Sequence, residues 1–351
     1  MRIPFTLLSQ SSMKYFQSQQ PFFLEAGGLL PGLTIAYQTW GQLNEDKSNV
    51  VWICHALTAN SDVMDWWPGL IGEKKLIEPS KYFIVCANII GSCYGTTGPL
   101  TNDPVTAQPY YHRFPQVTVR DMVNAHILLR NHLGLEKIFL LMGGSLGGYQ
   151  ALEWSVMEKE VIKNLFLIGT SPTESAWGIA IHTTQRLAIE ADGTWLECTP
   201  TAGQKGLKAA RGIGLLTYRN YEILKQKQTD PDINKLDSFK ASSYINYQGD
   251  KLVKRFNAYS YWILTKAMDS HNLARGRNKL EKVLENISQN TLIIGITTDI
   301  LCPLQEQRLL RDHMPNAKLI EIDSSYGHDG FLVEHEKISK AVGDWLRSIS
   351  Q

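Results

Sequence analysis

Short runs of apolar residues recur along the chain, separated by polar and glycine-containing stretches. Runs of this length suit strands that are buried on both faces of a parallel sheet. The predicted strands lie near residues 33–38, 49–54, 82–87, 137–142, 163–168, 291–296 and 317–322. Helical patterns alternate with them, and this alternation predicts an α/β protein with a mostly parallel central sheet and helices on both faces.

The spacing of apolar residues also predicts helices. The clearest covers residues 119–133, with Thr118 as its cap and Asp121 three residues later. More than a hundred residues without a convincing strand follow residue 168, and they contain amphipathic helical patterns at 206–224 and 251–269. So long a stretch is not a plain loop.

We therefore predict two parts of the chain. Residues 1–171 and 289–351 form the α/β core, and residues 172–288 form a helical lid over the active site. The spare apolar faces of the lid helices could pair two subunits, which predicts a homodimer.

Composition and charge narrow the class of protein. The chain has 351 residues, of which 43% are hydrophobic and 20% are charged, as in an ordinary soluble domain. A formal net charge of +1 provides no strong positive potential to attract the phosphate backbone, so a nucleic-acid partner is not expected. No apolar run approaches the roughly 18 residues that span a membrane. The first twelve residues are interpreted as an extension ahead of Met13. They show no export signal, and together with the cysteine usage this favours a cytoplasmic protein.

The five cysteines are odd in number and lack C-x-x-C spacing, which argues against a disulfide framework and a zinc site. They are Cys54, Cys86, Cys93, Cys198 and Cys302. No metal is predicted. Cys93 lies in a glycine-rich loop and is a candidate reactive thiol, although a loop thiol is more often inert.

Residues 137–154 carry the most specific chemical signal. An apolar run breaks into glycines around Ser145 and then continues as a helical pattern. This strand, turn and helix with G-x-S-x-G is typical of a nucleophile elbow, which exposes the serine hydroxyl above a sheet. The first backbone N–H groups of the helix can then hold a developing oxyanion.

A nucleophilic serine needs a base and an orienting carboxylate. Asp299 follows the predicted strand 291–296, and His328 lies in the loop after the last predicted strand. The order serine, aspartate, histidine is that of the α/β-hydrolase fold. Asp299 could instead cap a helix starting near Pro303, and His328 could be a surface histidine. His55 is a rival base, although it precedes the serine and suits the oxyanion side of the pocket.

Several longer motifs carry a family resemblance. They lie at residues 34–41, 55–58 (HALT), 88–99 (NIIGSCYGTTGP), 143–148 (GGSLGG) and 327–332 (GHDGFL). On these motifs the chain resembles the homoserine O-acyltransferases of the α/β-hydrolase superfamily, the homoserine O-acetyltransferase group, over nearly its whole length. Small departures stand at Leu146, Tyr149 and Ala59, and Ala59 could bear on acyl choice.

The resemblance implies an acyl-CoA:L-homoserine O-acyltransferase of methionine biosynthesis that works through an acyl-serine intermediate. Ser145, Asp299 and His328 would be the triad, with the backbone N–H groups of Leu57 and Leu146 as the oxyanion hole. Acetyl-CoA or succinyl-CoA would be a co-substrate, and no bound cofactor is implied.

The amino-acid acceptor requires a cation for its carboxylate and an anion for its ammonium. Arg211 and Asp329 are the candidates, with Tyr218 as a weaker one on the same helix face as Arg211. The alternatives are a solvated surface charge for Arg211, lid packing for Tyr218 and a helix start for Asp329.

Two rival functions remain at this point. A carboxylester or thioester hydrolase would use the same triad with water as the acceptor, and a hydrolase-fold receptor would have kept only the pocket. The acyl donor, acetyl or succinyl, and the acceptor, homoserine or serine, also stay open.

Overall fold

The computed structural model describes residues 12–349, so the predicted N-terminal extension lies outside the described residues apart from Ser12. The strands are β1 (Lys14–Ser18), β2 (Phe22–Phe23), β3 (Leu29–Leu30), β4 (Leu33–Trp40), β5 (Val50–Cys54), β6 (Phe83–Ala87), β7 (Ile138–Gly144), β8 (Ile162–Ile168), β9 (Asn290–Ile296) and β10 (Ala317–Ile322). All seven predicted strands are confirmed within two residues at each end.

Eight strands form one sheet in the order β1-β4-β6-β5-β7-β8-β9-β10. The strands from β6 to β10 in this order pair in parallel, whereas β1 with β4 and β4 with β6 pair antiparallel. The predicted α/β class is confirmed. The sequence pattern missed β1, β2 and β3, because these strands are short or largely exposed and lack an apolar run.

The α-helices are α1 (Val63–Trp66), α2 (Val119–His132), α3 (Leu146–Met157), α4 (Ala176–Glu190), α5 (Gln204–Tyr218), α6 (Tyr221–Gln228), α7 (Lys240–Val253), α8 (Ala258–Asp269), α9 (Leu280–Glu285), α10 (Leu304–His313), α11 (Gly330–Val333) and α12 (His335–Ile349). The predicted helix at 119–133 is confirmed as α2. Its capping box is present, since Thr118 accepts from the Asp121 N–H and Asp121 accepts from the Thr118 N–H at 2.8 Å. No helix within residues 12–349 is long and apolar enough to cross a membrane.

The two long helices predicted between β8 and β9 were wrong in extent. The pattern at 206–224 is divided between α5 and α6, and the pattern at 251–269 between α7 and α8. Asn220 begins α6 by accepting the Glu222 N–H at 2.7 Å, and Asn257 begins α8 by accepting the Ser260 N–H at 2.8 Å. Each asparagine cap starts a new helix within a continuous apolar pattern.

The sheet is covered on both faces. Side chains alternate along the strands, so Trp52 and Leu141 belong to the apolar cluster on one face, while Ile53 and Met142 belong to the cluster on the other. This two-sided burial is the reason that the central strands read as unbroken apolar runs.

The register of the sheet determines where the site forms. Gly144 of β7 pairs with Ile168 of β8, Ile168 pairs with Ile294 of β9, and Ile296 pairs with Ile322 of β10. The loops that follow these strands therefore leave the same edge of the sheet side by side. Ligand sites of open α/β sheets form at this carboxyl edge.

Candidate active site

Ser145 occupies a strained turn between β7 and α3. Its φ of 55° and ψ of −127° lie outside the regions that an L-residue favours. A Cβ atom at Gly147 would lie 2.1 Å from the Cys54 carbonyl oxygen, and one at Gly143 would lie 2.1 Å from the carbonyl oxygen of Gly147. The two glycines are thus required by close backbone approach, as a nucleophile elbow demands.

Asp299 and His328 form a buried pair. Nδ1 of His328 lies 2.7 Å from Oδ2 of Asp299. The other carboxylate oxygen of Asp299 accepts the N–H groups of Leu301 and Cys302 at 2.8 and 2.9 Å. The N-cap of α10 is Pro303, so Asp299 orients the histidine instead of capping that helix.

His328 has the properties of a general base. Burial acts to lower the pKa of its imidazole, but the adjacent Asp299 carboxylate, together with the carboxyl groups of Asp329 and Glu174, raises the pKa above its ordinary value. Its Nε2 is buried and makes no hydrogen bond with the described residues. His328 and Ser145 line the same cavity, which has a volume of about 340 Å³. That nitrogen is therefore free to accept a proton from a nucleophile in this cavity.

The rival base, His55, is occupied elsewhere. Nδ1 lies 2.8 Å from the Ala56 carbonyl oxygen, and Nε2 accepts the Ile89 N–H at 3.2 Å. Burial lowers the pKa of His55 to about 4. With both nitrogens engaged, His55 positions the loop after β5 and has no free nitrogen for catalysis.

Two backbone segments meet at the serine and can supply oxyanion donors. Leu146 is the first residue of α3, so its N–H has no acceptor within the helix. Leu57 follows β5 and lines the cavity. Gln150 of α3 donates to the His55 carbonyl oxygen at 3.1 Å and thereby ties this loop to the helix that follows the serine.

The predicted acceptor residues Arg211, Tyr218 and Asp329 line the same cavity as Ser145 and His328. The Arg211 guanidinium carbon lies 5.6 Å from the centroid of the Tyr218 ring, one heptad later on α5. Its charge acts on the Asp329 carboxyl, but among residues 12–349 no carboxylate oxygen lies within 4.0 Å of the guanidinium nitrogens as an ion-pair partner. A guanidinium at the wall of a cavity without such a partner can bind the carboxylate of a ligand.

Asp329 has a partner that the sequence analysis missed. Nε of Arg219, just after α5, lies 2.8 Å from Oδ2 of Asp329. Burial raises the pKa of the Asp329 carboxyl, while Arg219 and His328 oppose that effect. This ion pair ties the end of α5 to the loop that carries the base. The only sequence signal was the position of Arg219 directly after Tyr218, because the partners are far apart in the chain.

The cysteine chemistry is unremarkable in the described residues. Burial raises the pKa of the Cys93 thiol to about 11, so the reactive thiolate is disfavoured. All five cysteines are free thiols. Within residues 12–349 no group of three or more His, Cys, Asp or Glu side chains is arranged to hold a metal ion.

Comparison with known proteins agrees with the α/β-hydrolase fold of this chain. The α/β-hydrolase-fold family model matches residues 49–335. Homoserine O-acetyltransferase of Cyclobacterium marinum is 48% identical over 332 residues, which cover 95% of this chain and 94% of that protein. The crystal structure of homoserine O-acetyltransferase from Staphylococcus aureus superposes with a TM-score of 0.80 at 28% identity and covers 95% of each chain. Esterase E22 has a TM-score of 0.86 at 22% identity, covering 95% of this chain and 99% of its own, and shows the shared fold alone.

Proposed function

This chain belongs to the homoserine O-acetyltransferase family, and from that premise we propose that it transfers an acetyl group from acetyl-CoA to the side-chain hydroxyl of L-homoserine. One observation carries the proposal: a single cavity is lined by Ser145, His328, Arg211 and Asp329. The first two residues fit acyl transfer, and the last two fit the charged groups of an amino acid. The relatives are named homoserine O-acetyltransferase, which favours acetyl over succinyl as the donor group and homoserine over serine as the acceptor.

The first half of the reaction acylates the enzyme. Oγ of Ser145 attacks the thioester carbonyl as Nε2 of His328 takes the hydroxyl proton. Asp299 holds the imidazole in the tautomer that leaves Nε2 free, and it stabilises the imidazolium that forms. When the tetrahedral intermediate collapses, the carbon–sulfur bond breaks and His328 returns the proton to the CoA thiolate. Free CoA leaves, and acetyl-Ser145 remains.

The second half runs the same steps with the acceptor. The homoserine hydroxyl gives its proton to His328 and attacks the acetyl carbonyl. Collapse then releases O-acetylhomoserine and restores the Ser145 hydroxyl. In both halves the backbone N–H groups of Leu57 and Leu146 are proposed to hold the oxyanion. Loss of one such donor typically lowers kcat by roughly 10²- to 10³-fold.

Recognition of the acceptor separates transfer from hydrolysis. We assign the carboxylate of homoserine to Arg211, whose planar guanidinium suits two parallel hydrogen bonds. We assign the ammonium to Asp329, beside the base in sequence. An acceptor held by both groups places its hydroxyl at the acyl-serine and excludes water from that position. A hydrolase that uses water as the acceptor would not require this pair of charged side chains.

The wider setting is also part of the proposal. The acetylated product would enter methionine biosynthesis in the cytoplasm. Residues 172–288, which contain α4 to α9, would act as a lid over the cavity. Exposed apolar side chains on α5, α6 and α7, namely Leu216, Tyr221 and Tyr247, would pair two subunits. Sedimentation of the purified protein as a monomer at micromolar concentration would contradict the homodimer.

The decisive assay follows free thiol release from acetyl-CoA or succinyl-CoA, with L-homoserine or L-serine as the acceptor. We expect release that depends on acetyl-CoA and homoserine and that vanishes in Ser145→Ala. Equal release without any amino acid would instead support the hydrolase. Intact-protein mass spectrometry after mixing with acetyl-CoA alone should detect the acetylated enzyme, and Ser145→Ala is the control.

A further inference from the structure

A second histidine–aspartate pair lies at the wall of the same cavity. His182 of α4 is only 3% exposed, and it lines the cavity together with Ser145 and Arg211. Its Nδ1 lies 2.9 Å from Oδ1 of Asp269 at the end of α8. Nε2 makes no hydrogen bond with the described residues. With Nδ1 directed at Asp269, the free Nε2 edge is the part of the ring available to a molecule in the cavity.

The groups behind His182 hold the ring and carry charge. Asp269 also pairs with Arg186, one turn after His182, at 2.5 Å. A second carboxylate oxygen, Oε2 of Glu174, lies 3.9 Å from Nδ1. The two oxygens of Glu174 accept from the Tyr149 hydroxyl at 3.0 Å and the Ser175 N–H at 2.9 Å. The network fixes the orientation of the ring through its own buried hydrogen bonds.

The network behind His182 holds two carboxyl groups, Glu174 and Asp269, and one guanidinium, Arg186. Burial raises the pKa of the Glu174 carboxyl. With a neutral imidazole, the network therefore carries no net positive charge that would repel a cation in the cavity. When Nδ1–H is donated to Asp269, Nε2 of the neutral ring presents a lone pair, and the ligand must supply a hydrogen-bond donor.

We propose that His182 binds the α-ammonium group of the amino-acid acceptor through Nε2, with Asp269 as its positioning residue. This inference rests on the proposed function, because homoserine supplies the ammonium. It completes the acceptor site, since Asp329 already shares its carboxylate with Arg219. One N–H of the ammonium then reaches Asp329, and a second reaches His182.

The test compares His182→Phe and His182→Asn with the unaltered enzyme. Phenylalanine retains a ring without an acceptor, and asparagine tests a smaller polar side chain. In His182→Phe we expect the KM for homoserine to rise roughly tenfold to a hundredfold, as for loss of a hydrogen bond to a charged group, with little change in kcat at saturation. Thr184→Ala, on the exposed side of the same helix, is the matched control and should leave KM unchanged.

Two homoserine analogues, each lacking one polar group, identify the group that His182 binds. α-Aminobutyrate has the ammonium and carboxylate of homoserine without its hydroxyl, and γ-hydroxybutyrate has the carboxylate and hydroxyl without the ammonium. The inhibition constant of α-aminobutyrate should rise in His182→Phe by the same factor as KM, while that of γ-hydroxybutyrate should stay constant. An equal rise for γ-hydroxybutyrate would assign His182 to the carboxylate and overturn the proposal, as would no change for either ligand.

Acetylation of Ser145 by acetyl-CoA alone distinguishes a failure of the His182 assignment from a failure of the proposed function. His182→Phe should be acetylated at the normal rate, because the donor half-reaction does not involve the acceptor ammonium. If the unaltered enzyme itself is not acetylated, the proposed function fails instead. If His182→Phe does not fold, His182→Asn decides the question: an unchanged KM for homoserine together with an unchanged inhibition constant for α-aminobutyrate would overturn the role of His182.

Discussion

Replacing Asp299 with asparagine should reverse the tautomer of His328, the proposed general base, while keeping the shape of the site. One oxygen of Asp299 accepts two backbone N–H groups, those of Leu301 and Cys302. In the variant only the amide oxygen can fill that place, so the amide nitrogen must face Nδ1 of His328. The imidazole then carries its proton on Nε2 and cannot accept the proton of Ser145.

The size of the effect follows from the charge pair. At a separation of 2.7 Å between Nδ1 and Oδ2, unit charges attract by about 6 kcal/mol at an effective dielectric constant of about 20. Charge centres about 4 Å apart attract by about 4 kcal/mol. At about 1.4 kcal/mol for each factor of ten, this range predicts a fall in kcat of about 10³- to 10⁴-fold.

The measurement is steady-state thiol release at saturating acetyl-CoA and homoserine, with a thermal melt to confirm folding. Asp323→Asn is the matched control, because this exposed aspartate lies in the neighbouring loop and accepts from the Thr297 hydroxyl at 3.0 Å. The control should retain near-normal kcat. A folded Asp299→Asn enzyme with more than about a tenth of normal kcat would refute the assignment of Asp299 as the orienting carboxylate.

Three further outcomes are expected. The Asp299 carboxylate helps to raise the pKa of His328 above the ordinary value of 6.5, and only the neutral imidazole accepts a proton. We therefore expect kcat/KM to rise with pH with a midpoint above 6.5. A midpoint below 6.5 in the pH profile would contradict the pairing of His328 with Asp299. Arg211→Gln should raise the KM for homoserine roughly tenfold to a hundredfold without slowing acetylation of Ser145, and an unchanged KM would remove Arg211 from the acceptor site. Gly147→Ala places a Cβ 2.1 Å from the Cys54 carbonyl oxygen and should lower Tm. Gly193→Ala is the control and should leave Tm unchanged, because no heavy atom lies within 4 Å of the added Cβ. Equal melting temperatures for the two variants would show that the elbow tolerates a side chain.

The core of the candidate site could be predicted from the sequence because each proposed triad residue follows a predicted strand. Ser145, Asp299 and His328 come after β7, β9 and β10, and parallel strands bring their carboxyl ends to one edge. The Ser145 turn also has a local steric cause in its glycines. Local sequence patterns are therefore sufficient to predict both the fold class and the edge of the sheet at which these residues lie.

The side of the candidate site that α4, α5 and α8 form could not be predicted in the same way. Arg219 and Asp329 are paired across two distant segments, and so are His182 and Asp269. Neither pair has a characteristic spacing, because a contact between two packed helices, or between a helix and a loop, depends on how the segments pack. The helix boundaries at Asn220 and Asn257 were also missed. The helical spacing of apolar residues continues across each asparagine, although its side chain caps the start of a new helix.

The geometry also couples acceptor binding to catalysis. His328 and Asp329 lie in one short turn, so the general base and the proposed ammonium partner are held at a fixed relative position. Arg219 connects Asp329 to the end of α5, the helix that carries Arg211 and Tyr218. An acceptor held by Arg211 and Asp329 therefore contacts α5 and the histidine loop together, and its hydroxyl approaches Nε2 of His328 from a defined direction. Water makes neither contact, and we propose this difference as the physical basis on which the site favours transfer over hydrolysis.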